Sequence, residues 1–327
     1  MARPKRRIAI CAPATPISRA LAKAVTALAA REFPEVELAF HEQCFVEEGH
    51  FAGSDAVRLA ALLDCANDPG ADALWLAKGG YGTNRIAAEA VARMGPAARE
   101  KCFLGYSDGG YLLAALYRAG VGRPVHGPMP VDIGRERGAA AVRRALAFLS
   151  EAGGGAVEAA GSSGGDGIGT ADPQVGGRPG AAESAGAESG STALMSDAAR
   201  EGLEPSLDGR TPGVAFNLMT LAMLAGTELM PDLIGHVVMV EEVGEYLYAV
   251  DRLFFHLMPQ LRGIAGLRLG RISKVPANDR PFGATAEEIA RHWCARGGIP
   301  FLGSADIGHD VDNRIVPFGL AAGAAGP

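Results

Sequence analysis

The stretch Cys102-Phe103-Leu104-Gly105-Tyr106-Ser107-Asp108-Gly109, followed by Tyr111-Leu112-Leu113-Ala114-Ala115-Leu116-Tyr117, decides the fold. Its first residues are a short apolar run of strand length, and its last seven read as a helix. A glycine-flanked serine stands between them. Strand, sharp turn with serine at its tip, then helix is the geometry of a nucleophile elbow. Such a turn pushes the hydroxyl out to where a substrate carbonyl reaches it. The first N–H groups of the following helix point to the same place and stabilise an oxyanion. Gly and Ser are also common turn residues, so an ordinary βα turn satisfies the same stretch.

Upstream of this elbow the chain alternates strand and helix signals. Arg7–Cys11, Val36–Phe40 and Asp72–Ala77 read as strands. Pro16–Arg31 reads as an Ala-rich helix, Ser54 caps a helix running to Asn67, and Thr83–Met94 reads as a third helix. Strands separated by helices of this length imply a parallel sheet covered on both faces. Ligands of such sheets bind beyond the carboxyl ends of the strands. Both Lys78-Gly79-Gly80-Tyr81-Gly82 and Ser107 lie just past such ends.

Residues 151–212 differ in kind, being rich in Gly, Ala, Ser and Glu. That composition buries too little apolar surface to offset chain entropy, so it reads as a flexible linker or surface insertion. Order returns near Val214. The helix Asn217–Ala225, the strand Val237–Val240, the helix Tyr248–Leu261, the strand Leu267–Ile272, the helix Thr285–Arg296 and the strand Ile315–Phe318 make a second, mixed α/β domain. The expected division is therefore 1–150, then 151–212, then 213–327.

The 327 residues, 48% hydrophobic and 21% charged, are ordinary for a globular protein that buries a real core. A net charge of -6 argues against nucleic acid or an anionic membrane surface as the main partner. No apolar run reaches membrane-spanning length and no signal peptide is recognisable. Five scattered cysteines without a CxxC read as reduced thiols, hence a cytoplasmic location.

A serine nucleophile needs a base to take its proton and an acid to orient that base. Of the seven histidines, His41, His50, His236, His256 and His292 read as solvated or structural. His126 follows a strand signal and His309 sits between Gly308 and a polar loop. Glu241 and Glu242 end a strongly apolar strand. Strict alternation puts them on opposite faces, one in the cleft and the other in water. His41-Glu42-Gln43-Cys44-Phe45 lacks the second histidine of a zinc helix, and Asp310, Asp312 and Asn313 lack the rest of a calcium loop. No metal is expected.

These separated motifs resemble the LD-carboxypeptidases of serine peptidase family S66. The resemblance rests on Gly-Tyr-Ser-Asp at 105–108, Lys-Gly-Gly-Tyr-Gly at 78–82 and His-Gly-Pro at 126–128. It continues with Val-Glu-Glu-Val-Gly-Glu-Tyr-Leu-Tyr-Ala-Val-Asp-Arg at 240–252 and Gly-His at 308–309. It spans nearly all of the chain except 151–212. It implies an N-terminal Rossmann-like parallel α/β domain and a C-terminal mixed α/β domain with a small barrel-like sheet. It also implies Ser107 as nucleophile, Glu241 as orienter and His309 as base, with backbone N–H groups of Gly80 and Asp108 as oxyanion donors. Lys78, Tyr81, His126, Phe216 and Asn217 are the candidates for substrate contact. A cytoplasmic homodimer without metal or organic cofactor, acting on a murein peptide, follows from the same resemblance.

The chain departs from the family pattern at Lys78, usually arginine, and at Ala215-Phe216, usually a glycine pair. Lysine lacks the bidentate fork of arginine, and Phe216 adds bulk. Three alternatives stay open at this point. One is a microcin C immunity-like peptidase cleaving peptidyl or aminoacyl nucleotides. The others are an α/β-hydrolase-type esterase and a non-catalytic peptide-binding module.

Overall fold

The computed structural model of the protein describes residues 5–151 and 195–320. Two sheets organise it. The larger is built from β1 (Arg6–Cys11), β2 (Val36–Phe40), β3 (Ala73–Leu76), β4 (Cys102–Gly105) and β5 (Arg123–His126). Between them run helices α1 (Arg19–Glu32), α2 (Asp55–Asn67), α3 (Ala87–Arg93), α4 (Pro96–Arg99) and α5 (Gly110–Ala119), with α6 (Gly138–Glu151) after β5. The strand order is β10-β5-β4-β3-β1-β2, all parallel except β10 (Val316–Pro317), which pairs antiparallel with β5. Sheet order reverses direction at β1, between β2 and β3. That reversal opens a crevice at the carboxyl ends of β1 and β3.

The parallel sheet is covered on both faces, and its central strands read accordingly as continuous apolar runs. Ile8 and Ile10 of β1, Leu74, Trp75 and Leu76 of β3, and Phe103 and Leu104 of β4 are fully buried. Local signals set the helix ends. Ser54 caps α2 through Val57 N–H, as the sequence indicates. α1 starts three residues later than Pro16, where Ser18 accepts Leu21 N–H. Thr83–Met94 is not one helix. Residues Thr83–Arg85 form a separate 3-10 turn before α3, entered with Gly82 N–H and Thr83 N–H held by the Asp108 carboxylate.

The smaller sheet has the order β6-β7-β8-β9, with β6 (Gly213–Asn217), β7 (Val237–Val243), β8 (Gly266–Ser273) and β9 (Phe301–Ser304). All its pairings are parallel, and β6 and β9 stand at opposite ends without pairing each other, so it is an open row of four strands rather than a closed barrel. It carries α8 (Leu218–Leu224), α9 (Leu247–Leu257) and α10 (Ala286–Gly297). A Thr285–Glu288 capping box starts α10 and left-handed Gly298 ends it.

The chain finishes on the larger sheet, not the smaller. Val316 pairs with His126 and Pro317 with Val125, while Gly319 bridges Gly213 at the edge of β6. One apolar cluster runs through both parts, including Leu76, Leu112, Phe216, Val238 and Phe318. The stretch expected as an insertion, 151–212, lies mostly outside the described residues. Its described end is built: α7 (Asp197–Glu201) packs against α6, and Leu203 bridges Ile315. Buried Glu204 holds Ser206 N–H and Asp306 N–H. The linker expectation therefore ran too far at this end, since apolar Ala199 and Leu203 give the segment something to bury.

Candidate active site

Ser107 sits at φ 59°, a left-handed conformation that a non-glycine residue adopts only where its surroundings compel it. The flanking glycines are required by crowding. A Cβ on Gly105 or Gly109 would stand 2.7 Å from Leu76 Cδ1, and one on Gly110 would stand 3.0 Å from Thr220 Cγ2. The elbow is thus wedged between β3 and α8, and Thr220 Oγ1 donates to the Ser107 carbonyl at 3.3 Å.

The 78–82 loop lies directly against it. A Cβ on Gly79 would stand 3.0 Å from Ser107 Oγ and 3.3 Å from Asp108 N, so only glycine lets the two backbones approach. Thr15 Oγ1, buried, donates to the Gly79 carbonyl at 2.6 Å and fixes that peptide plane. Gly80 has φ 115°. The Asp108 carboxylate accepts Gly82 N–H at 3.2 Å and Thr83 N–H at 2.9 Å, and burial pushes its pKa up. Asp108 therefore ties the loop to the elbow through its side chain, a role its sequence position does not advertise. Lys78 Nζ reaches the Pro16 carbonyl at 3.5 Å. Tyr81 is 48% exposed and neighbours the His50 and Phe51 rings.

His309 arrives from the loop between β9 and β10. Its Nε2 lies 3.0 Å from Ser107 Oγ and its Nδ1 2.6 Å from Glu241 Oε2. Glu241 is fully buried at the end of β7. Hydroxyl, imidazole and carboxylate form one hydrogen-bonded line, with both ring nitrogens engaged. This is the arrangement in which a base is held in the correct tautomer and its cation is stabilised. The loop itself is pinned by arginines. Arg271 pairs with Asp306 and Asp310, and Arg144 Nη1 donates to the carbonyls of Val311 and Asn313.

The expectation that one of Glu241 and Glu242 is solvated does not hold, for Glu242 is also buried, at 3% exposure. The β7–β8 register shifts between Val240 and Glu242, and such an irregularity breaks strict alternation. Glu242 accepts Asn217 Nδ2, Met219 N–H and Val243 N–H, each at 2.8 Å, while burial raises its pKa. Asn217 in turn caps α8 through Thr220 N–H at 3.0 Å, so it precedes that helix instead of belonging to it. Glu242, Asn217 and Thr220 form a chain of braces from β7 to the back of Ser107.

Two expected contact residues are core. His126 is 1% exposed, and its Nε2 is 3.1 Å from Asn313 Oδ1, which also accepts Gly308 N–H at 3.1 Å. Burial lowers its pKa to about 4, so it is a neutral brace under the loop that carries His309. Phe216 is 1% exposed and packs edge-on against Phe318 at 5.0 Å. Its bulk fills the seam between the sheets, not a substrate pocket. In the His41-Glu42 segment and the 310–313 loop, Glu42 pairs with Arg19 and Asp310 with Arg271.

Sequence reasoning missed Tyr106, Asp132, Arg135, Thr15 and Asn313. Tyr106 was visible inside the elbow motif, but its ring lies 4.9 Å from the His309 ring only because the fold brings them together. Asp132 and Arg135 belong to no recognisable spacing.

Fold and site together define a hydrolase with a Ser-His-Glu line built between a mostly parallel sheet and a fully parallel one. Residues 8–127 match the LD-carboxypeptidase N-terminal domain model of peptidase family S66, and residues 211–323 match its C-terminal domain model. The chain belongs to that family and is a serine-type carboxypeptidase. It is similar to the murein tetrapeptide carboxypeptidase of Pseudomonas aeruginosa, 24% identical, covering 97% of this chain and 92% of the relative. It is also similar to a putative carboxypeptidase of Streptomyces coelicolor, 28% identical over 84% of this chain and 75% of the relative. In structure it is similar to a muramoyltetrapeptide carboxypeptidase from Oxalobacter formigenes, with TM-score 0.66 and 21% identity, covering 95% and 93% of the two chains. The microcin C7 self immunity protein MccF also matches, with TM-score 0.66 and 16% identity over 97% and 92%. The structural likenesses speak to the fold.

Proposed function

We propose that this protein is an LD-carboxypeptidase that hydrolyses the bond between an L-centre and the terminal D-Ala of a murein tetrapeptide. The observation that carries the reading is the line Glu241 Oε2, His309 Nδ1 and Nε2, Ser107 Oγ, at 2.6 and 3.0 Å. In it His309 Nε2 takes the Ser107 proton as Oγ attacks the carbonyl carbon. Glu241 holds the imidazole and stabilises the cation that forms. His309 then gives its proton to the leaving amine of D-Ala. Water, deprotonated by the same nitrogen, attacks the acyl-enzyme and frees Ser107.

The oxyanion receives N–H groups of Gly80 and Asp108 in this reading. Support comes from crowding: Ser107 Oγ and Asp108 N flank the same side of Gly79, and Thr15 draws the Gly79 carbonyl away. A peptide's C=O and N–H point in opposite directions, so the Gly80 N–H faces away from Thr15. Lys78 and Tyr81 remain the substrate-contact candidates, with Asn217 acting behind the elbow.

The homologue names in Pseudomonas aeruginosa and Bacillus subtilis favour murein peptides over nucleotide conjugates. Trp75 is fully buried and offers no stacking face to a nucleobase, and Trp293 bonds Asp251. A cytoplasmic homodimer belongs to the same proposal. Five unpaired, buried cysteines suit a reducing compartment, and light scattering reads the oligomer. No helix among the described residues is long and apolar enough to cross a membrane. The deciding experiment measures D-Ala release from disaccharide tetrapeptide by mass spectrometry, with Ser107→Ala as control. Release that persists in Ser107→Ala removes the nucleophile assignment. Cleavage of aminoacyl sulfamoyl nucleosides without D-Ala release transfers the protein to the immunity branch.

A further inference from the structure

His309 stands on a loop without regular structure, yet its ring must meet two partners at once. Glu241 and Ser107 occupy both ring nitrogens. They orient the ring but leave its main chain to other groups. The guanidinium of Arg135, from the segment after β5, is the group that reaches it. Arg135 Nη1 donates to the His309 carbonyl, Nη2 donates to Tyr106 Oη at 3.1 Å, and Nε pairs with Asp132 Oδ1 at 3.0 Å. Tyr106 Oη donates to the same Asp132 oxygen at 2.9 Å, and the other oxygen accepts Met129 N–H at 2.8 Å. Asp132 is 1% exposed, and Arg135, Tyr106 and Met129 N–H together occupy its two oxygens.

The far end of this network is the residue immediately before Ser107. The Tyr106 ring also packs against the imidazole, 4.9 Å between centroids and 55° between planes. Nucleophile and base are therefore joined by a second route, independent of their own hydrogen bond. We infer that Arg135 is a positioning residue that sets the His309 main chain against the Tyr106–Ser107 turn through a three-way guanidinium fork. The inference rests on His309 being the base. Lysine, a single point charge on a flexible stem, does not span three acceptors arranged around one plane. The loop keeps other ties when Arg135 is removed, since Arg271 and Arg144 hold Asp306, Asp310, Val311 and Asn313.

The test uses the full-length protein and a fluorophosphonate, which reports activation of a serine without needing the native substrate. A reacting group displaced by about 1 Å costs on the order of 100-fold in rate. Arg135→Ala is expected to slow Ser107 labelling by about 10- to 100-fold, with Arg135→Lys close to it. Millimolar guanidinium should restore much of the rate in Arg135→Ala at an unchanged unfolding midpoint. Labelling at the wild-type rate in either variant overturns the inference, as does a loss that guanidinium leaves untouched. Wild-type protein that is not labelled, or labelling that survives Ser107→Ala, fails the triad reading itself and takes the inference with it.

Discussion

His309 Nε2 lies 3.0 Å from Ser107 Oγ although 202 residues separate them in the chain. Ser107 leaves the larger sheet after β4, while His309 leaves the smaller one after β9. Their meeting depends on β10 returning to pair with β5, which draws the 305–315 loop over the elbow.

Removing the line should remove turnover. Ser107→Ala is expected to lower kcat by at least about 1000-fold, and Glu241→Ala by about 100- to 10,000-fold through loss of tautomer and cation control. Steady-state D-Ala release checks both. Near wild-type kcat in Glu241→Ala means that the buried carboxylate is only structural.

Thr15 offers a milder probe. Thr15→Val keeps the shape and deletes the hydroxyl that holds the Gly79 carbonyl at 2.6 Å. A misaimed oxyanion donor costs less than a missing one, so a drop in kcat of about 10- to 100-fold with little change in KM is expected. Gly80→Ala is harsher, because its Cβ would meet Thr15 Cγ2 at 2.5 Å with φ at 115°. Unchanged kinetics in Thr15→Val would show that the loop holds its shape without Thr15.

Phe216 separates packing from specificity. Phe216→Ala deletes a fully buried ring at the seam, at an expected cost of about 3–5 kcal/mol in denaturant unfolding. KM at a temperature where the variant stays folded should not move. A shift in KM alone would return Phe216 to the substrate pocket.

His126 gives a pH signature. Its folded pKa of about 4 lies below the ordinary value of 6.5. As pH falls through 6.5 the unfolded chain takes up a proton that the folded one refuses, so stability declines until about pH 4. Full expression of that difference is about 3 kcal/mol. His126→Gln keeps an N–H for Asn313 but does not titrate. Its stability curve, compared with wild type between pH 7 and pH 4, should be flatter; parallel curves would contradict the assignment.

Much of the site was legible along the chain because local geometry demands particular residues. A strained serine turn needs glycines beside it, a backbone pressed against Ser107 needs Gly79, and strands buried on both faces read as apolar runs. These are short-range constraints, and Ser107 and the 78–82 loop follow from them, whereas Glu241 and His309 were picked out by the family resemblance alone. Alternation misjudged Glu242, because a register irregularity with β8 is a property of two strands and not of one. His126 and Phe216 looked available for substrate, because adjacency in sequence does not reveal which neighbours cover a side chain. The sequence by itself determined the alternating parallel architecture and spelled the motifs that carry Ser107, Glu241 and His309. Only the tertiary structure decided that Arg135, Asp132, Tyr106 and Thr15 hold that chemistry in place. Those contacts arise where separate elements cross, and burial there turns ordinary polar side chains into directional braces.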